Sequence, residues 1–446
     1  MTRAIAVVLA ALLFAPSAAH ADDDADGALP AELSLDAALR IGRRHQPQLR
    51  QARAQTEAAE AKVDEAVAPL FPQVTLNLGY QRATSNYAPP PGGTAPTGTT
   101  PRPTPMPSFD TANYYRNSLN ATQLIWDFGQ TWRRKDAARA TAESQEETER
   151  ATQLTADLGI RSAFYTARAT RDSVRVAKET LANQTKHVEQ IQAFTEVGTR
   201  PEIDLLQART DQANAEVALI NAQNDYATAR ALLNQAMGVE APASYEVAGA
   251  ASAPLFGEEG ALETLVDEGL RARPDVAAKV AELRAQDLTN KATAGRYGPA
   301  LAASTGLTYN GNEIGNLVWN WSGGFSLAWP IFEGGLVRAS VREGEAKSAA
   351  LRAEVDIVRQ QVRVDVDQAR LTIIAGKAAI AAAERSLANA KARLDLAELR
   401  YRTGVGNGIE LSDAQLAAAN AGFQLLQATL KLDTARAQLQ RALGRS

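Results

Sequence analysis

The chain repeats itself, and this restricts its fold more than any other feature of the sequence. A displacement of 227 residues carries Pro47, Pro72 and Gly79 onto Pro274, Pro299 and Gly306, and lays QPQLRQARAQ over RPDVAAKVAE without a gap. A displacement of 206 carries Leu119, Ile125, Gly129, Gly198, Leu205, Ala208 and Gly238 onto Phe325, Ile331, Gly335, Gly404, Leu411, Ala414 and Gly444. The two displacements differ by 21 residues, so the first copy carries an insertion of that length. It falls in TSNYAPPPGGTAPTGTTPRPTPMPSFD, residues 84–110, which hold eight of the 19 prolines. Such a segment has too few amide donors for a ladder or a helix and is expected as a long surface loop. The expected organisation is a leader over residues 1–21, a first unit over 22–241, a linker over 242–260 and a second unit over 261–446. Pro242, Pro254 and several Gly and Ser mark the linker.

Proline shows where helices can be long. None occurs from Ser108 to Arg200, from Glu202 to Ala241, or after Pro330. Thr131 to Glu196 is 66 residues and Leu336 to Arg402 is 67, and each would span about 100 Å as a helix. Val174, Leu181 and Val188 recur every seven residues, as do Ile380, Leu387 and Leu394, with Ala383, Ala390 and Ala397 between them and Tyr401 at the end. This is the pattern of a narrow seam between close neighbouring helices. Each long helix meets a break, Val197-Gly198-Thr199-Arg200-Pro201 or Gly404-Val405-Gly406-Asn407-Gly408, and a second helix then returns to about Gly238 or Gly444. Glycine suits the left-handed end of one helix and Pro201 the first turn of the next, so each copy is expected to hold a helical hairpin.

Ahead of each long helix lie two segments with period two. From Trp319 to Trp329, Trp319, Trp321, Gly323, Phe325, Leu327 and Trp329 alternate with Asn320, Ser322, Gly324, Ser326 and Ala328. Val74, Leu76, Leu78 and Tyr80 alternate with Gln73, Thr75, Asn77 and Gly79. Segments 114–126 and 300–309 are less regular. Eleven residues suit one tilted pass through a bilayer, and all five tryptophans lie in or beside these segments. A soluble sheet with one buried face would alternate in the same way, but the chain offers little other apolar surface for that face to cover. Four strands cannot close a barrel, and hydrocarbon does not tolerate open edges. Several chains are therefore expected to share one barrel. Two chains would supply eight strands and a filled lumen, whereas three would supply twelve and leave room for passage.

Export follows from the first residues: Arg3, an apolar stretch from Ala4 to Ala15, and Ala19-His20-Ala21 before Asp22. No later stretch reaches about 18 consecutive apolar residues, so any membrane crossing is expected through strands. The net charge of -4 comes without basic blocks, which argues against nucleic acid. Cysteine is absent, and past the leader only His45 and His187 remain, too far apart in sequence to form a cluster. No cofactor, metal site or enzymatic activity is expected. Gly404-x-Gly406-x-Gly408 follows a helix rather than a strand, unlike a phosphate loop, and Asp365-x-Asp367 lacks the rest of a calcium loop.

Taken together and in order, several blocks resemble the TolC-type outer-membrane efflux channel family. They are LSLDAALRIGRRHQPQLRQARAQTEAAEAKVDEAVAPLFPQVTLNLGY, QLIWDFG and PIFEGG before the long helices, and VGTRPEIDLLQAR and GVGNGIELSDAQ at the breaks. The resemblance covers nearly all of the mature chain. It implies a mainly α fold with a small β part, internally duplicated. Long hairpins would form a periplasmic α-barrel, and four strands per chain would join a trimeric 12-stranded transmembrane β-barrel. It also implies a homotrimer set in outer-membrane lipid, serving as the exit duct of a tripartite efflux or type I secretion system. Its partners would be a periplasmic adaptor and an inner-membrane transporter. The loop is long for that family, and the end at Ser446 suggests little material for a belt around the helices.

By position, the adaptor-docking tips would be Val197, Gly198, Thr199, Asp204 and Leu205, with Gly404, Val405, Glu410 and Leu411. Asp204 and Glu410 also complement the starts of their helices. Glu189, Asp395 and Glu398 are candidates for an acidic periplasmic aperture selecting cations. Tyr80, Trp126, Trp319, Trp321 and Trp329 are candidates for the lipid boundary. The rival reading is a soluble periplasmic coiled-coil scaffold or adaptor without a pore.

Overall fold

The structure is a computed structural model that describes residues 30–84, 109, 111–249 and 252–445. The expected leader, and residues 85–108 and 110 of the expected loop, lie outside the described residues. The elements run β1 (Glu32–Leu33), α1 (Leu35–His45), α2 (Pro47–Val67), β2 (Gln73–Thr84), β3 (Thr111–Trp126), α3 (Gln130–Glu196), α4 (Glu202–Met237) and β4 (Glu246–Val247). They continue α5 (Leu262–Ala272), α6 (Pro274–Ala294), β5 (Ala300–Gly311), β6 (Val318–Ala328), α7 (Leu336–Arg402) and α8 (Gly408–Ala442). The bounds of α1, α2 and β2 recur in α5, α6 and β5 after 227 residues, and those of α3 recur in α7 after 206. Both long helices contain 67 residues. No described helix is long and apolar enough to cross a membrane.

The four hairpin helices lie side by side in the order α4, α3, α8, α7, so the two hairpins meet through α3 and α8. The heptad residues Val174, Leu181, Val188, Ile380, Leu387 and Leu394 are half-buried, while full burial falls to Ala177, Ala397, Gln184 and His187. Short side chains let the helices approach closely, which spares the seam a wide apolar stripe. Polar ties cross from α3 to α8 instead: Arg168 to Asp433 as a buried ion pair, Arg161 to Gln440, and Gln184 Nε2 to Gln415 Oε1 at 2.9 Å.

Two apolar cores girdle the hairpins at mid-length. In one, Leu39 of α1, Leu33 and Val247 of the paired β1 and β4, and Tyr245 pack on Ile160, Phe164, Leu233 and Met237. In the other, Leu265 and Val266 of α5 pack on Val362, Val366, Ile373, Leu432 and Leu439. The returning helices end against these same short helices. A Cβ at Gly238 (φ 71°) would stand 2.7 Å from the His45 carbonyl oxygen, and one at Gly444 (φ 70°) would stand 2.7 Å from that of Ala272. Only glycine satisfies both the left-handed turn and the close approach.

The linker supplies a belt. Residues 252–260 run as a strap across α7 and α8. Arg436 donates two hydrogen bonds of 3.0 Å to Glu258, and Lys377 lies 2.7 Å from the same carboxylate. Arg436 also donates to the Ser252 carbonyl, Arg370 to that of Gly260 and Arg445 to that of Phe256. Burial alone would raise the Glu258 carboxyl. Hydrogen bonds from Arg436, Lys377 and the Leu255 amide outweigh it and hold the group at about 2. Because the folded value lies below the ordinary 4.5, this stabilisation is complete above pH 4.5 and is lost as pH falls towards 2. Arg436→Met, which leaves the Glu258 carboxylate with Lys377 and the Leu255 amide alone, is expected to cost about 1.5–3 kcal/mol. Thermal unfolding of Glu258→Gln should lose part of the wild-type dependence on pH in that acid range, and an unchanged acid limb would show that the strap does not carry it.

Candidate functional site

Two regions concentrate the residues singled out by the sequence: a sheet at one end and the hairpin tips at the other. The sheet is antiparallel in the order β2, β3, β5, β6. Its register gathers Leu76, Leu119, Leu307 and Trp321 into one cross-strand row, and Leu78, Asn117, Tyr309 and Trp319 into the next. Phe325 and Leu327 extend the same face opposite Ala303 and Leu301. On the other face the rows are Asn77, Ser118, Thr308, Asn320 and Thr75, Asn120, Gly306, Ser322. From Leu301 to Tyr309 the apolar face covers about 27 Å of strand. Both faces of β2 and β6 are exposed almost throughout. A single layer with one apolar and one hydrophilic face fits lipid outside and water inside.

The five expected boundary aromatics are all exposed. Trp126 and Trp329 lie at the helical end of the sheet, the latter donating from Nε1 to the Tyr297 carbonyl at 3.1 Å. Exposed Phe71, Phe128, Tyr297 and Phe332 lie in the segments that join the sheet to the helices, and exposed Trp132 lies in the first turn of α3. Tyr80 lies towards the opposite end, its ring 5.2 Å from Tyr115. Trp319 shares a row with Tyr309, and Trp321 lies two residues further into the apolar band, donating from Nε1 to Thr305 Oγ1 at 3.0 Å.

At the tips, α3 ends on Gly198 (φ 74°) with the Thr199 amide donating to the Phe194 carbonyl at 2.9 Å. Likewise α7 ends on Gly404 (φ 76°) with the Val405 amide donating to the Arg400 carbonyl at 3.0 Å. Asn407 caps α8 by accepting from the Glu410 amide at 2.7 Å, and Glu410 pairs with Arg400 at 3.1 Å. Asp204 sits half-buried in the first turn of α4. Val197, Gly198, Thr199, Gly404 and Val405 are exposed. Leu205 and Leu411 are buried with Ile191, Ala208, Ala397, Tyr401 and Ala414 in a small core that binds the two tips together. Sequence reasoning missed Ile203 and Ile409, equivalent residues in the first turns of α4 and α8, which are 69% and 72% exposed. Their hydrophobicity matched that of the neighbouring leucines, and only the signature of matching positions across the repeat could have flagged them.

Aromatic and cationic contacts also cross between the tips. The His187 ring lies 5.3 Å from that of Tyr401, and the Arg200 guanidinium lies 4.6 Å above Tyr401 while donating to the Gly406 carbonyl at 3.5 Å. The candidate aperture residues Glu189, Asp395 and Glu398 are all exposed. Glu398 lines a crevice with Lys186, His187 and Arg402, so its surroundings mix both signs of charge.

Burial lowers the proton affinity of His187, against the opposing pull of Asp211 on α4. A histidine whose folded value lies below the ordinary 6.5 favours folding fully above that pH and progressively less below it. Protection factors of the amides over residues 180–205 and 395–415, which correct for the slower intrinsic exchange in acid, should therefore fall on acidification below 6.5, and His187→Gln should flatten that response. An equal fall in both proteins would assign the effect to other groups.

A family model described as outer membrane efflux protein matches residues 41–239 and 265–445. Outer membrane protein TolC of Vibrio cholerae is 24% identical over 410 residues, covering 89% of this chain and 87% of that protein. The outer membrane protein VceC of Vibrio cholerae has the same fold, with a TM-score of 0.77 at 17% identity over 92% of this chain and 96% of that one. The open state of the MtrE outer membrane channel of Neisseria gonorrhoeae gives 0.74 at 19% identity, over 92% and 89%.

Proposed function

The chain belongs to the outer membrane efflux protein family, and from that premise we propose that it is the passive exit duct of a multi-part export system. Three chains close one twelve-stranded barrel in the outer membrane and one helical barrel reaching into the periplasm. Cargo enters from an inner-membrane transporter through a periplasmic adaptor seated on the hairpin tips. The observation that carries this reading is the sheet: apolar on one face, hydrophilic on the other, and open at both β2 and β6. An open edge in hydrocarbon leaves a row of amides and carbonyls unsatisfied, so β6 of one chain must meet β2 of the next.

The helices support the same closure. α4 and α7 lie at the two edges of the hairpin layer, and each carries exposed apolar residues: Val217 and Ile220 on α4, Ile357, Val364 and Leu371 on α7. An α7-to-α4 contact between neighbouring chains is head-to-tail, and it closes into a ring with the same rotation that closes the sheet. The tips divide into two roles. Leu205 and Leu411 hold the hairpins together, while Val197, Ile203, Val405 and Ile409, on turns made by Gly198 and Gly404, form the apolar docking surface.

The protein should fractionate with the outer membrane, migrate after detergent extraction with a trimer's mass, and conduct ions in planar bilayers. Release by osmotic shock as a water-soluble monomer would instead establish the scaffold. Ile203→Asp combined with Ile409→Asp should abolish export while trimers form normally. Leu411→Ala should loosen the tip by about 2–5 kcal/mol. Wild-type export by the double aspartate variant would remove the tips as the docking surface.

A further inference from the structure

The hydrophilic face of the sheet is uncharged except at one position. Its rows are built from Gln73, Thr75, Asn77, Gly79 and Gln81 on β2, and from Ser304, Thr308, Asn320 and Ser322 among others on β5 and β6. The four strands contain two charged residues, Arg82 and Arg116. Arg82 falls on the same face as Leu78 and Tyr80, near the strand end, where it donates to Thr111 Oγ1 at 2.7 Å. Arg116 falls on the hydrophilic face, in the row Gly79, Arg116, Asn310 and Val318. Gly79 has no side chain to cover it, and Asn310 is neutral. Arg116 is exposed, and no carboxylate occurs among the strand residues of that face.

Resting on the three-chain duct proposed above, we propose that Arg116 forms a ring of three guanidinium groups inside the membrane barrel and biases passage towards anions. The ring lies level with the outer rows of the apolar band, since Arg116 is flanked on β3 by Tyr115 and Asn117, which pair with Tyr80 and Leu78. Its position inside the barrel follows from cost: a guanidinium facing lipid there would be opposed by burial in hydrocarbon, whereas the lumen is wet. At about 10 Å in water a unit charge alters the local concentration of a monovalent ion by about twofold. Three such charges around one lumen therefore favour small anions, and carboxylate or phosphate groups on cargo, by several-fold, less as salt screens them. A neutral wall elsewhere leaves this ring as the charged element of the hydrophilic face among the described strand residues.

Bilayer measurement of the reversal potential under a potassium chloride gradient tests the ring. Arg116→Gln should lower the ratio of chloride to potassium permeability several-fold, Arg116→Glu should lower it further, and Arg82→Gln should leave it unchanged. A channel that conducts with the same ratio in all four proteins overturns the ring while leaving the duct intact. The cysteine-free chain allows a second measurement that needs no conductance. In reconstituted vesicles, Arg116→Cys should react with a negatively charged, water-soluble thiol reagent and Leu119→Cys should not. The reverse pattern overturns the assignment of faces and with it the ring. Recovery of the wild type as a water-soluble monomer overturns both the ring and the duct.

Discussion

Backbone hydrogen bonding at a strand edge governs the whole molecule. A four-stranded sheet in hydrocarbon has two edges whose amides and carbonyls find no water, and the only remedy is another strand on each side. One chain cannot supply it, because four strands are too few to curl round and bring β6 to β2. Everything else is compatible with this demand. The duplicated unit places two strands and one hairpin on each half of the chain, so sheet and helices run out of partners at matching edges. In the proposed duct, repetition of the chain closes both layers.

The helical part solves a different problem. Helices of 67 residues with small residues along their contacts bury too little apolar surface per turn to fix their own alignment. Position is set by discrete ties: Arg168 with Asp433 at mid-length, Gln184 with Gln415 nearer the tip, and the tip core around Tyr401. Buried polar pairs of this kind specify register because a helix displaced by one turn would leave them unsatisfied. The belt adds apolar cores where α1 and α5 cross the hairpins, and the strap held by Glu258 and Arg436 closes over one of them.

Much of the fold was legible in the sequence for a mechanical reason. Proline is absent from Ser108 to Arg200 and Gly198 marks the break, so the bounds of α3 expected from Thr131 to Glu196 differ from those observed by one residue. The four period-two segments became the four strands of the sheet for the same reason that period two signals a two-faced layer. The tips were legible only in part. Gly198 and Gly404 announce a turn wherever they stand, but Leu205 and Ile203 are equally apolar, and only the packing of α4 against α3, α7 and α8 decides which is buried. The strap was hidden because Glu258 and Arg436 lie 178 residues apart, in a segment whose Pro and Gly content reads as a linker.

The sequence by itself determined the duplication, the lengths of the helices and the two-faced strands, because each is a property of spacing along the chain, and its motif blocks carried the resemblance to the family. Only the tertiary structure decided which apolar residues hold the tips and which remain exposed, how the linker becomes a belt, and that Arg116 shares a face with Asn and Ser rather than with Leu and Trp. Those outcomes depend on register between strands and on rotation between helices, which are set by contacts between residues that spacing alone does not bring together.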